Sequence, residues 1–226
     1  METSERAYEK IINYVERQIM QGSYKKGDKL PPERELAALL GASRNSVREG
    51  LGILERMGVI SSQQGAGNFI SDNFEKTLIE VMTLMFILEE GTFREISEFR
   101  YALETQALSL AMKNITEEQQ TDIEYYMSML EQTPGEEQKA YYDKKIHYTI
   151  TAASGNRFII DNLQALTEVM DVFIKDMRAK ILSDGSNSEG LMSAHRQMVE
   201  ALREKDESKG LKALKAHFEY IYAYID

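Results

Sequence analysis

Two of the chain's three prolines stand side by side, Pro31-Pro32, and Gly22, Gly27, Gly41, Gly58, Gly65 and Gly67 cut the first seventy residues into short pieces. Proline lacks a backbone donor and glycine favours turns, so neither a long helix nor a long strand can run through this stretch. Ala7 to Met20 carries Ile11, Ile12, Val15 and Ile19 at spacings that share one helical face, and Gly22 stops it. After the prolines, a second short helix with Leu36, Leu39 and Leu40 as its apolar side ends at Gly41. Ser43 is an N-cap for a third helix in which Val47, Leu51 and Leu54 fall at i, i+4 and i+7, closed by Gly58. Val59-Ile60 and Asn68-Phe69-Ile70 then read as two short strands around a glycine-rich tip. Three helices and a wing make a winged helix-turn-helix over residues 1–72.

From residue 73 the texture changes. Helical periodicity runs through seven segments, roughly 74–89, 93–113, 117–131, 136–153, 157–182, 188–204 and 207–225, with breaks marked by Gly91, Pro134-Gly135, Gly155 and Asp184-Gly185. Short loops force neighbouring helices back along each other. The expected fold is mainly α, a winged helix-turn-helix followed by an all-α antiparallel bundle of about seven helices over 73–226.

The net charge of −10 argues against nucleic acid only as an average. Through Asp72 the chain holds 10 Lys+Arg and 10 Asp+Glu, leaving 17 basic and 27 acidic residues to the remainder. A neutral N-terminal unit can bind DNA where its cations point at phosphates. With no Cys, thiol nucleophiles, disulfides and Cys-ligated metals are excluded. The longest strongly apolar run, Val81 to Leu88, falls far short of the ~20 residues a membrane span needs, and the charged N-terminus has no apolar core of a secretion signal. A cytoplasmic protein without a membrane partner is expected.

Two groups of residues carry chemistry. On the outer side of the third helix, Arg44 and Arg48 lie four apart with Asn45 beside them, near the helix N-terminus, where a recognition helix reads base edges. Arg34, opening the second helix, is placed to hold a flanking phosphate; a solvated charged face is the alternative for all four. Gly50 and Gly52 inside the third helix each cost about 1 kcal/mol relative to Ala, which predicts a helix that is loose until it meets DNA.

The second group is histidine. Asp143 and His147 leave one face of a helix one turn apart, His195 begins the apolar series with Met198 and Leu202, and His217 follows Leu211 and Leu214. All three histidines of the chain therefore sit at core-facing positions of three bundle helices. Any one alone reads as a satisfied core residue. Three imidazoles with one carboxylate suit a divalent ion, zinc first, with manganese or nickel as alternatives. Met82, Met85, Met127 and Met129 read as core filler.

The stretch GDKLPPERELAALLGASRNSVREGLGILERMGVISSQQGAGNFI resembles the DNA-binding domain of GntR-family transcription regulators. That resemblance implies DNA contacts from Arg34, Arg44 and Arg48, with Gly65 letting the wing backbone approach the minor groove. The wing departs from the family pattern, with Ser61, Ser62, Gln63 and Gln64 where Arg or Lys is common. The Asp-x-x-x-His helix followed by Ala-x-Ser-Gly-Asn, and the two later histidines, resemble the FCD ligand-binding domain of the FadR subfamily. It implies that Asp143, His147, His195 and His217 bind one metal ion beside a pocket for a small carboxylate effector, into which Arg100 reaches; the alternative for Arg100 is a surface ion pair with Glu104. The implied protein is a ligand-responsive regulator, a repressor acting as a homodimer on a palindromic double-stranded DNA operator. A metal-responsive regulator is the alternative, and a metal-dependent enzyme a more distant one: the residues three before the histidines are Lys144, Met192 and Leu214, which excludes Glu-x-x-His.

Overall fold

The computed structural model describes residues 6–72, 74–166 and 188–225. The chain divides into two compact units, Met1–Glu80 and Val81–Asp226, a division that falls within the helix Glu75–Leu88.

The first unit holds α1 (Ala7–Met20), α2 (Glu33–Leu40), α3 (Arg44–Arg56), β1 (Ile60–Gln63) and β2 (Gly67–Ile70). The local signals act as their chemistry requires. α2 starts directly after Pro31-Pro32 and ends at Gly41 in the left-handed conformation, φ +60°. Ser43 caps α3 by accepting from the Ser46 amide at 3.1 Å. Ile11, Val15, Leu36, Val47, Leu51 and Leu54 fill one core between the three helices. The strands pair antiparallel with Ile60 opposite Ile70 and Gln63 opposite Gly67. The segment before α2 runs beside β2 in an isolated antiparallel bridge of Lys29 to Phe69, unforeseen in the sequence: the Leu30 amide donates to the Asn68 carbonyl at 2.8 Å, and the Ile70 amide to the Asp28 carbonyl at 2.8 Å.

The two glycines inside α3 turn out to differ. A Cβ on Gly50 would stand 2.9 Å from both Ile11 Cβ and the Tyr8 carbonyl oxygen, so α1 packs against bare backbone there. Gly52 faces open space. The expectation of a loose helix is therefore corrected at Gly50, where close packing fixes the backbone. Gly52→Ala should raise stability by about 1 kcal/mol, whereas Gly50→Ala should destabilise by about 1–3 kcal/mol through overpacking. Thermal denaturation of the two variants checks the opposite signs.

The second unit contains the rest of α4 (Glu75–Leu88), then α5 (Phe93–Asn114), α6 (Glu117–Gln132), α7 (Glu136–Ala153), α8 (described over 157–166), α9 (Ser188–Glu204) and α10 (Glu207–Ile225). The expected continuation of the fifth segment to 182, and the break at Asp184-Gly185, lie outside the described residues. Capping boxes at Thr92/Glu95 and Thr116/Gln119 start α5 and α6. α5 packs on α7 and α10, α6 on α7 and α9, and α9 on α10. Leu108, Ile123, Ile146, Met198, Leu202 and Phe218 are buried in the shared core. Met127 fills that core as expected, but Met85 is 55% exposed and is not core filler. It belongs to an exposed stripe on α4 with Val81, Leu84 and Leu88, at i, i+3, i+4 and i+7.

Candidate functional site

On the first unit, Arg44 and Asn45 occupy the first turn of α3 and Arg48 the next, all exposed, with exposed Arg34 on α2. Arg48 Nε donates to Glu33 Oε2 at 2.7 Å, with the two side chains 65% and 35% exposed. Such a pair contributes about 0–1 kcal/mol, so a phosphate or base edge can replace Glu33 at small cost. Gly65 lies between the two strands with φ +76° and open space where a side chain would be. The Ser62 amide donates to Glu55 Oε1 at 3.2 Å, tying the wing to the C-terminal part of α3. None of the residues β1 and the tip contribute is a cation: the sequence there is Ser61, Ser62, Gln63, Gln64, Gly65, Ala66.

In the second unit the three histidines converge. His147 comes from α7, His195 from α9 and His217 from α10; their ring centroids are 5.3, 4.8 and 4.7 Å apart, and one nitrogen from each lies within 4.8 Å of the others. All three are buried. Asp143, one turn before His147, is 27% exposed and brings Oδ1 to 2.6 Å from His195 Nε2 and 4.0 Å from His147 Nε2.

The outer partners decide what the ring nitrogens offer. His147 Nδ1 meets Glu104 Oε2 at 2.7 Å, and His195 Nδ1 meets the Leu191 carbonyl at 2.9 Å. A carbonyl accepts only, as does an ionised carboxylate, so each Nδ1 carries its hydrogen and donates. A neutral imidazole then presents Nε2 as a bare acceptor. The two Nε2 atoms stand 3.2 Å apart with the Asp143 oxygen beside them, an arrangement of converging lone pairs that calls for a cation. His217 Nδ1 is buried with no hydrogen-bond partner among the described residues. Three imidazoles, a carboxylate and fixed outer partners form a donor set that fits a divalent ion.

The charges agree. Burial opposes ionisation of Glu104, but His147 and Arg100 outweigh it and hold its carboxyl well below the usual range. Asp143 is held low in the same way, His195 outweighing burial. Burial pushes the His147 imidazole down, but Glu104 overcomes this and raises it. For His217, burial and then the neighbouring imidazoles act together, holding it well below 6.5 and therefore neutral near pH 7.

Glu104 is the residue sequence reasoning missed as part of this site. Its second oxygen, Oε1, accepts from Arg100 Nη2 at 2.7 Å and from Arg100 Nε at 3.0 Å. The i,i+4 pair between Arg100 and Glu104 foreseen as a surface contact therefore exists but is not at the surface, the side chains being 15% and 7% exposed. The guanidinium also lies over the Phe218 ring, 5.6 Å from its centroid. Arg100, Glu104 and His147 form one connected polar chain ending at the histidine cluster.

Residues 7–70 match the bacterial regulatory proteins of the gntR family, and residues 95–220, more than half of the chain, match the FCD domain. The chain belongs to the GntR family and carries an FCD domain. It is a DNA-binding transcription regulator, and the FadR subfamily fits. A putative L-lactate dehydrogenase operon regulatory protein of Escherichia coli (strain K12) is 27% identical over 222 residues, covering 96% of this chain and 85% of its own length. The Uxu operon transcriptional regulator of the same organism is 24% identical, covering 97% and 86%. Among solved structures, Streptococcus agalactiae GntR matches with a TM-score of 0.65 and 24% identity over 96% of this chain and 99% of that one, which bears on the fold. Family and relatives are regulators, which leaves the enzyme alternative without support. No helix among the described residues is long and apolar enough to cross a membrane.

Proposed function

We propose that this regulator is a cytoplasmic repressor that binds a palindromic double-stranded DNA operator as a homodimer through Arg34, Arg44, Asn45, Arg48 and the wing at Gly65, under control of a small carboxylate. The observation that carries the control is the convergence of three buried imidazoles and the Asp143 carboxylate, a donor set that fits a divalent ion. Asp143, His147, His195 and His217 would hold one divalent ion, zinc first and manganese or nickel as alternatives. When bound, the ion supplies a Lewis-acid anchor for a carboxylate ligand. Arg100 would orient a second acidic group of that ligand, guanidinium matching carboxylate bidentately, and to do so it must share or release Glu104. The exposed Val81, Leu84, Met85 and Leu88 stripe of α4 supports self-association, since a face of large apolar side chains at this spacing suits a second copy of the same helix. Two copies place two recognition helices about one DNA turn apart.

The test titrates wild type and Arg44→Ala against a duplex selected in vitro for binding, with zinc alone and with zinc plus L-lactate, the probe suggested by the name of the E. coli relative. Two chains per duplex are expected, with affinity shifted by the acid only when metal is present. Arg44→Ala should lose about 1–3 kcal/mol of discrimination against a scrambled duplex. Unchanged discrimination in Arg44→Ala would remove the recognition-helix assignment, and a shift produced by zinc alone would make the ion the signal.

A further inference from the structure

The wing hairpin contributes no cation of its own, yet one stands beside it. Lys29 precedes Pro31-Pro32 by two residues and is bridged antiparallel to Phe69, on the edge of β2 away from β1. Its side chain follows the sheet toward the hairpin tip. Lys29 Cε lies 3.3 Å, and Nζ 4.0 Å, from where a Cβ of Gly67 would be, and Nζ lies 5.7 Å from the Phe69 ring centroid. Gly67 and Gln63 are the pair that closes the hairpin, so the ammonium sits beside the last paired residues before the tip Gln64-Gly65-Ala66. Lys29 is exposed and makes no ion pair among the described residues. The bare backbone of Gly67, at φ +109°, leaves the lane its stem occupies.

We propose that Lys29 is the wing's DNA contact, its ammonium neutralising a backbone phosphate where the wing tip meets the duplex. The inference rests on the DNA-binding reading of the first unit. A compact, strongly hydrated point charge on a flexible stem suits a phosphate better than a base edge, so its contribution is to affinity and not to sequence choice. Neutralising one phosphate releases the counterions condensed on it, which contributes about 0.9 to the slope of log K against log salt on duplex DNA.

The experiment measures that slope for full-length wild type, Lys29→Gln, Lys29→Met and Lys29→Arg on the selected duplex and on a scrambled duplex of equal length. Lys29→Gln should reduce the slope magnitude by about 0.9 on both duplexes and leave their affinity ratio at the wild-type value. Lys29→Met, which keeps an aliphatic stem against Gly67 and Phe69 and so guards against a folding effect, should lose the same amount, and Lys29→Arg should keep it. Wild-type slopes in Lys29→Gln and Lys29→Met, or a changed ratio between the two duplexes, would overturn the proposal. Arg44→Ala in the same assay separates the two readings: its loss of discrimination with no effect at Lys29 fails the wing contact alone, and no effect in either fails the DNA-binding reading beneath it.

Discussion

His195→Ala should leave the purified protein without stoichiometric divalent metal and lower its melting temperature by about 10 °C. The size follows from linkage: an ion that binds only the folded state at a thousandfold excess over its dissociation constant contributes about 4 kcal/mol, and each kcal/mol moves the melting point of a domain this large by about 2–4 °C. His195 has the greatest expected effect because it stands between the others. It is 1% exposed, its Nε2 is 2.6 Å from Asp143 and 3.2 Å from His147 Nε2, and its Nδ1 is fixed by the Leu191 carbonyl. An alanine also opens a cavity, so melting alone does not decide the matter. Elemental analysis and chelator response do: EDTA should destabilise wild type and leave a His195→Ala, His217→Ala double variant unaffected. Full metal occupancy in His195→Ala would return the histidines to the status of core residues.

Glu104→Ala should be among the most destabilising single changes in the bundle, at about 3–5 kcal/mol, because it strands two partners at once. Arg100 would keep its charge at 15% exposure and His147 Nδ1 would lose its acceptor, both deep between α5, α7 and α10. Glu104→Gln keeps the shape and removes the charge, so it should fold better than the alanine variant yet bind metal about 10–100-fold more weakly, since a neutral amide holds the His147 ring less firmly. Denaturant unfolding and a competition measurement of zinc affinity read the two effects separately. Wild-type zinc affinity in Glu104→Gln would show that the carboxylate serves the fold only. Arg100→Ala in the Glu104→Gln background tests the coupling: the double change should cost less than the sum of the singles, as expected for groups in one hydrogen-bonded chain.

Much of this protein is written in neighbouring residues. Pro31-Pro32, Gly41 and Ser43 mark the ends of α2 and the start of α3, because caps and breakers act within one helical turn. Asp143 and His147 share a face because they are four apart, and His195 and His217 are core-facing because apolar residues recur around them at helical spacing. Periodicity could thus place three histidines inside the bundle. It could not say that Glu104, 43 residues from His147 along the chain, would be the group that orients its ring. The i,i+4 relation of Arg100 and Glu104 was visible, but whether that face meets solvent or α7 and α10 depends on which helices pack together, and so the same pair reads as superficial from the sequence and is buried in the fold. Gly50 is the same lesson at the backbone: the chain shows a helix-weakening residue, and only the approach of α1 to within 2.9 Å of where its Cβ would be shows why no side chain fits there. Local chemistry determined the elements and their inward faces; the tertiary structure alone decided which faces meet, because contacts between distant segments depend on packing that no short-range pattern encodes.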